Sequence, residues 1–204
     1  MEPKLASSKN VVFIAVMSAL GNVLSALSIT VSPLIPSIPL GPISVSMALD
    51  LSHLTTFVAA VFGGPVVGGL TGMIGGLVAA YRFGFSTGNF ITGFGLPIGK
   101  AMTGIGAGYI MGSYGLLNRH KLSAVLATVV AYVPEGAFTA FLFLYMLPPI
   151  FGLPIDYMKL ITVQILVKAL FEMVVMGLVL ALMLKNQGFT DYIKGFFTKP
   201  PNRV

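Results

Sequence analysis

The chain has 204 residues, of which 56% are hydrophobic and 9% are charged, and its mean hydropathy is +0.94. Soluble domains carry about 25% charged residues, and a chain of this length has too little interior to bury so much apolar surface, so we expect lipid to cover part of it. The absence of cysteine excludes a disulfide scaffold, a thiolate metal site and a cysteine nucleophile.

Six apolar segments are long enough to cross a bilayer, which takes about 17–25 residues. They cover residues 11–33, 45–62, 65–82, 91–114, 122–147 and 158–184. Only Gly63 and Gly64 separate the second from the third, and a tight hairpin fits there because glycine accepts positive φ and Pro65 suits a first helical turn. The sequence therefore predicts an all-α integral membrane protein, a bundle of six transmembrane helices.

The basic residues predict how this bundle is oriented. With six spans, most of them fall on one side of the membrane: Lys4, Lys9, Arg119, Lys121, Lys185, Lys194, Lys199 and Arg203. Arg82 and Lys159 fall at the opposite ends. Because cytoplasmic loops carry the excess of Lys and Arg, both termini are predicted to be cytoplasmic. The same scatter argues against a nucleic-acid surface, despite the net charge of +6.

Two domains are predicted: a transmembrane domain of residues 1–186 and a short cytoplasmic tail of residues 187–204. Apolar residues of the tail recur at helical spacing, with lysines nearby. This pattern is typical of an amphipathic helix that lies in the membrane interface.

Three connections on the predicted outer face are apolar and rich in Pro, Gly or Phe, namely residues 32–46, 83–90 and 147–156. The first contains four prolines, and the third also contains several, so both are predicted to be loops. Such loops could cover a pocket or simply lie at the membrane surface, and the sequence leaves both interpretations open.

Glycines recur at four-residue spacing in the third and fourth spans. They are Gly68, Gly72 and Gly76, followed by Gly95, Gly99, Gly104, Gly108 and Gly112. Residues four apart share one helix face, so these rows predict close approach of two helix backbones.

Charged residues within the spans are costly and need a partner or a function. Lys100 is predicted roughly 13 Å below the outer end of its span and Lys168 about 15 Å below that of its own. Glu172 follows Lys168 by four residues, so the two can pair on one helix face. Glu135 is predicted near the middle of its span and Asp50 near the outer end of its own, so the charges could meet in the outer half.

Two interpretations of these charges remain open. One is a closed ion-pair network, with Lys168 paired to Glu172 and Lys100 to Glu135. The other is a polar pocket that binds a solute. Asp50 could instead cap its helix, and His53 is interpreted as a satisfied interfacial histidine, because one further histidine cannot complete a metal site.

Enzyme signatures are poorly represented. The chain has no G-x-S-x-G, H-E-x-x-H or P-loop motif. Asp50 and His53 could form an acid–base pair beside Ser52, but nothing specifies an oxyanion site. We therefore predict a binding protein that is not an enzyme and has no cofactor and no metal.

Residues 47–77 resemble a known family. They contain Asp50-Leu51-Ser52, an apolar helix, the Gly64-Pro65 turn and the glycine steps at Gly68 and Gly72. This order is similar to the second-to-third helix signature of the S components of energy-coupling factor (ECF) transporters. Ala15 and Ala19 match the Ala-x-x-x-Ala step of that family's first helix.

The resemblance implies a substrate-binding subunit for a vitamin or related heterocycle in a prokaryotic plasma membrane. Its implied partners are a membrane T component, which Ala15 and Ala19 would contact, and two ABC ATPases. The expected substrate-binding residues are Asp50, Asn89, Lys100, Tyr132, Glu135, Gln164, Lys168 and Glu172. The segment around Asp50 and the position of Lys168 resemble riboflavin-type members, but residues 162–164 depart from their pattern, so only a planar heterocycle is expected. The alternative function is a stand-alone secondary transporter or channel that uses the intramembrane Glu and Lys residues.

Overall fold

A computed structural model of the protein describes residues 7–34, 37–40, 43–46, 49–113 and 121–198. Helices form most of this part of the chain: α1 (Ser8–Val31), α2 (Ser52–Gly75), α3 (Leu77–Phe83), α4 (Phe90–Ser113), α5 (Lys121–Phe141), α6 (Leu147–Phe151), α7 (Ile155–Lys185) and α8 (Gln187–Thr198). Short 3-10 turns cover Ser32–Leu34 and Phe85–Thr87, and a π-helical turn, Leu142–Met146, joins α5 to α6. The predicted helical class is confirmed.

One small hairpin interrupts the helical architecture. Its strands, β1 (Ser37–Leu40) and β2 (Ile43–Ser46), pair antiparallel, with Ser37 opposite Ser46. The hairpin forms within the predicted loop of residues 32–46, where the prolines exclude a helix but still allow extended backbone.

Four stretches are long and apolar enough to cross a membrane: Ser8–Leu34, Ser52–Thr87, Ser123–Phe151 and Ile155–Lys185. The second has 36 residues and contains a helix break at Gly64, whose φ of 84° lies outside the helical region. The two arms of this stretch, the other three stretches and α4 together make six helical rods in the described part of the chain.

The predicted hairpin at Gly64 is confirmed by contacts across it. A Cβ built on Gly68 would lie 2.7 Å from the Cβ of Ala60, and one on Gly72 would lie 3.1 Å from Cγ2 of Thr56. In a straight helix these pairs would be about 12 and 24 Å apart along the axis. Residues 52–63 and 65–75 therefore run antiparallel.

The predicted glycine packing is also confirmed, between the second arm of α2 and α4. A Cβ on Gly68 would lie 2.6 Å from the carbonyl oxygen of Gly104, and Gly108 meets Pro65 just as closely. Gly72 faces the Lys100 carbonyl. We call Gly68, Gly72, Gly76, Gly104 and Gly108 the glycine seam. It brings the two backbones together without intervening side chains.

Helix α8 packs on the protein at the end of the bundle where α1 begins and α7 ends, which we call the terminal end. Ile193 is buried, and the rings of Phe189 and Phe197 lie 6.2 and 5.0 Å from those of Phe62 and Phe13. The apolar face of α8 thus covers the Gly64 turn and the start of α1. Its interfacial position stays a prediction, and Lys4, Arg119, Lys199 and Arg203, on which the predicted orientation partly depends, lie outside the described residues.

Two predicted boundaries are wrong. The second helix begins at Ser52 rather than at residue 45, because residues 45 and 46 belong to β2. Residues 147–151 are helical rather than a loop. Pro148 and Pro149 lie in the first turn of α6, where a missing N–H costs little, and Gly152 ends the helix with a φ of 62°.

Candidate functional site

The start of α2 lies below the ends of the helices around it. Lys100 is ten residues into α4, which is about 15 Å, and its Nζ lies 3.5 Å from Oδ2 of Asp50, just before α2. Lys168 is thirteen residues into α7, or about 20 Å, and it pairs with Glu172, whose Oε1 accepts the Asp50 N–H at 2.9 Å. Asp50 is therefore recessed between the outer parts of α4 and α7.

The β1–β2 hairpin lies on the open side of this recess. The chain leaves α1 at Val31, forms the hairpin and returns at Leu49, whose carbonyl accepts a hydrogen bond of 2.6 Å from Ser28 Oγ. Strand β2 contacts α7. We call this the hairpin end of the bundle, opposite the terminal end.

Lys100 connects α4 to the start of α2. Its side chain is 4% exposed, and its ammonium donates to Ser52 Oγ and pairs with the Asp50 carboxylate. Asp50 Oδ1 accepts the Ser52 N–H at 3.0 Å, so this carboxylate also caps the helix.

Glu135 on α5 has a second set of partners. Its Oε2 lies 3.2 Å from Nε2 of His53 and accepts a hydrogen bond of 2.6 Å from Thr103 Oγ1. Both Glu135 and His53 are 6% exposed. Gly99 permits this arrangement, because a Cβ there would lie 3.1 Å from Cγ of Glu135.

The third part of the site is on α7. Lys168 Nζ lies 3.2 Å from Oε1 of Glu172, the oxygen that also accepts the Asp50 N–H. We call Asp50, Ser52, His53, Lys100, Thr103, Glu135, Lys168 and Glu172 the polar cluster.

Within the polar cluster, two charged side chains remain partly accessible. Asp50 is 25% exposed and Lys168 is 31% exposed, whereas Lys100, Glu135 and Glu172 are exposed by 8% or less. The buried charged side chains thus pair with one another, and the Asp50 carboxylate and the Lys168 ammonium are the more accessible charged groups of the cluster.

The family model of the substrate-specific component of ECF transporters matches residues 9–184. The chain belongs to this family. Comparison with curated proteins and with solved structures found no match. Membership makes the chain a transporter subunit, and the apolar helices agree with a multi-pass membrane protein.

In this substrate-specific component, the fold brings together five residues predicted for the site: Asp50, Lys100, Glu135, Lys168 and Glu172. Two more lie beside them. Tyr132 is buried with its ring 6.4 Å from that of His53, and Gln164 lies one turn from Lys168 on α7.

Asn89 is the predicted residue that the fold leaves apart from the polar cluster. Its Oδ1 accepts the Thr92 N–H at 3.0 Å at the start of α4, about 16 Å along the axis from Lys100. There the side chain caps a helix.

The predicted pairing of Lys100 with Glu135 is wrong, because Lys100 pairs with Asp50 and Glu135 with His53. The acid–base pair of Asp50 with His53 is accordingly not formed. His53 is buried rather than interfacial, and its Nδ1 has no partner among the described residues. Sequence reasoning also missed Thr103, although it lies one turn after Lys100 on the same helix face.

Ala15 and Ala19 lie on the exposed side of α1, beside Val12 and Val16. The adjoining side of α1 carries Ser18, which is buried against α2. Within the described part of the chain, a smooth strip of α1 at Ala15 and Ala19 is thus left uncovered.

Proposed function

We propose that this chain captures a vitamin or a related small heterocycle from the outer side of a prokaryotic plasma membrane. It passes this ligand inward with a T component and two ABC ATPases. The observation that carries the proposal is the polar cluster at the recessed start of α2, drawn from α2, α4, α5 and α7. The family supports the role of substrate-specific subunit.

The hairpin end faces outward in this proposal. Lys9 near the start of α1 and Lys185 at the end of α7 lie at the terminal end, which the excess of basic residues favours as cytoplasmic. The recess above Asp50 then opens toward the outside, where a nutrient arrives, and the β1–β2 hairpin lies over it.

The accessible groups favour a ligand with both hydrogen-bond donors and acceptors. Asp50 can accept from a ligand N–H or O–H, and Lys168 can donate to a carbonyl or ring nitrogen. Neighbouring groups already orient both side chains: the Ser52 N–H orients Asp50, and the Glu172 carboxylate orients Lys168. A heterocycle with an amide-like edge offers both a hydrogen-bond donor and an acceptor.

Capture is tested on the full chain purified from its own cells. Native mass spectrometry identifies the small molecule that co-purifies, and titration with that molecule gives its Kd. Lys168→Met should weaken binding roughly 10- to 100-fold, the range expected for one hydrogen bond to a charged group. Lys159→Met is the matched control, because Lys159 lies on the same helix, is 61% exposed and should leave the Kd unchanged. Equal Kd values for both variants would contradict the proposed site.

The partner surface needs a separate test. Ala15→Trp combined with Ala19→Trp should abolish co-purification of a T component and its ATPases, because bulky rings prevent close helix approach. Leu20→Trp is the control, since Leu20 is also exposed but points about 100° away from Ala19. Intact assembly and uptake in the double variant would refute this partner surface.

A stand-alone secondary carrier is the second candidate, favoured by the buried Glu135–His53 pair. It predicts uptake by the isolated protein in liposomes without ATP, and loss of that uptake in Glu135→Gln. ATP-dependent uptake that requires the T component and the ATPases would exclude this candidate.

A further inference from the structure

The side chain of Asn22 on α1 inserts into the backbone of a neighbouring helix. In an unbroken helix the Val78 N–H would donate to the Ile74 carbonyl, four residues earlier. Here Asn22 Nδ2 donates to the Ile74 carbonyl at 2.9 Å, and the Val78 N–H donates to Asn22 Oδ1 at 3.0 Å. The amide thus takes both halves of one helical hydrogen bond, and the chain is broken at Gly76, between α2 and α3.

Small residues allow Asn22 to reach this position. A Cβ on Gly21 would lie 3.6 Å from the Cα of Gly75, and one on Gly75 would lie 3.7 Å from the carbonyl oxygen of Ser18. The backbones of α1 and α2 are therefore close enough for a short amide to bridge them.

The broken turn supports the aliphatic stem of Lys100. A Cβ on Gly76 would lie 3.2 Å from the Cα of Pro97 and 3.3 Å from Cδ of Lys100. From there the Lys100 side chain extends to Ser52 and Asp50. We infer that Asn22 is a positioning residue: by holding the helix open at Gly76, it fixes the stem of Lys100 and keeps its ammonium against Asp50.

Asn22 also links two regions that are otherwise separate. It follows Ala15 by seven residues and Ser18 by four, so it lies at the border between the alanine strip and the buried face of α1. A helix docked on the two alanines would therefore lie next to Asn22. A role of Asn22 in coupling partner docking to ligand capture rests on the proposed function, whereas its hydrogen bonds to Ile74 and Val78 do not.

The test measures how firmly Lys100 is held, without ligand or partner. The full chain in detergent is treated with a water-soluble amine-acetylating reagent, and mass spectrometry gives the ratio of modification at Lys100 to that at Lys168. In Asn22→Ala the Ile74–Val78 hydrogen bond can re-form and shift Gly76 beneath Lys100. The ratio should rise roughly fivefold, the factor that corresponds to the net worth of one hydrogen bond.

Lys168 serves as the internal reference, because it is held by Glu172 on α7, whereas the atoms nearest a Cβ on Gly76 belong to Pro97, Gly72 and Lys100. Thr30→Val is the matched control on α1: it removes a hydrogen bond of 2.8 Å to Ala26 of the same helix and should leave the ratio unchanged. Asn22→Asp provides a second variant, which keeps an acceptor for Val78 but loses the donor to Ile74, and its ratio should be intermediate.

An unchanged ratio in both Asn22 variants would overturn the inference. So would an equal rise at Lys100 and Lys168, because that result reports general loosening of the fold. Since neither measurement uses a vitamin or a partner protein, failure here is distinguishable from failure of the proposed function.

Discussion

The two ends of the bundle are packed in different ways. At the hairpin end, four helices converge on charged and hydroxyl side chains that satisfy one another, with Asp50 and Lys168 partly accessible. Toward the terminal end, Gly104 and Gly108 of the glycine seam bring backbones together, and the aromatic rings of α8 close the surface. Met176 and Leu180 are buried there among other apolar side chains.

This difference shows how a membrane protein can bury several charged side chains without weakening its whole core. Polar groups in a low-dielectric interior are tolerated where each has a partner. Backbone contact at the glycine seam depends instead on shape and dispersion, because lipid gives helices little hydrophobic reason to associate. The hairpin end should therefore be sensitive to loss of a charge, and the terminal end to added volume.

The largest effect is expected for Asp50→Ala, which leaves the buried Lys100 ammonium without its carboxylate. We expect a loss of about 3–5 kcal/mol in the free energy of unfolding, measured by SDS titration in mixed micelles. Asp156→Ala makes the same chemical change in an exposed pair with Lys159 and should have no measurable effect.

A double variant shows which contact of Asp50 is responsible for that loss. Asp50→Ala combined with Lys100→Met removes both charges, so most of the lost stability should return. If the double variant is as unstable as Asp50→Ala alone, the cost arises from the helix cap at Ser52 rather than from an unpaired ammonium.

A smaller effect is expected at the glycine seam. Gly104→Val places a side chain against the backbone of Gly68, so the two helices must separate, with a loss of about 1–3 kcal/mol. Gly112→Val is the matched control on the same helix, because no atom of the described residues lies within 4 Å of a Cβ at Gly112. Equal unfolding free energies for the two variants would show that seam contact is not needed.

The smallest effect is expected at α8. Phe13→Leu keeps an apolar side chain but removes the edge-to-face contact with Phe197, which is worth about 0.5–1.5 kcal/mol. Hydrogen exchange should then become faster across residues 187–198. Tyr192→Leu, on the exposed side of α8, should leave that exchange unchanged. Unchanged exchange in Phe13→Leu would mean that other contacts hold α8.

Much of this architecture was predictable because its signals are local. Hydropathy and segment length indicated the helices, and Gly63-Gly64-Pro65 indicated the reversal, since only a few residues are needed to specify a turn. The extension of the helix through Pro148 and Pro149 was missed, because it depends on a π-helical turn that has no simple sequence signal.

The charged residues of the polar cluster and the Lys168–Glu172 pair along one helix were predictable, but the pairings between helices were not. An ionisable residue within an apolar span is conspicuous, so Lys100, Glu135 and Glu172 were found. Which carboxylate faces Lys100 depends on how far α2 is recessed, and that depends on contacts between helices. Asn22 was missed for the same reason, since its partners are backbone groups of residues more than fifty positions later.

The sequence alone determined that this chain forms apolar helices, where they reverse and which costly charges they carry, because hydrophobicity and backbone preference act over short stretches. Only the tertiary structure decided that Asp50 lies beside Lys100, that Glu135 lies beside His53, and that the two sets stand together at the hairpin end. The physical reason is that glycine contacts set the relative heights of α2 and α4, and a shift of one turn, about 5.4 Å, would separate Lys100 from Asp50.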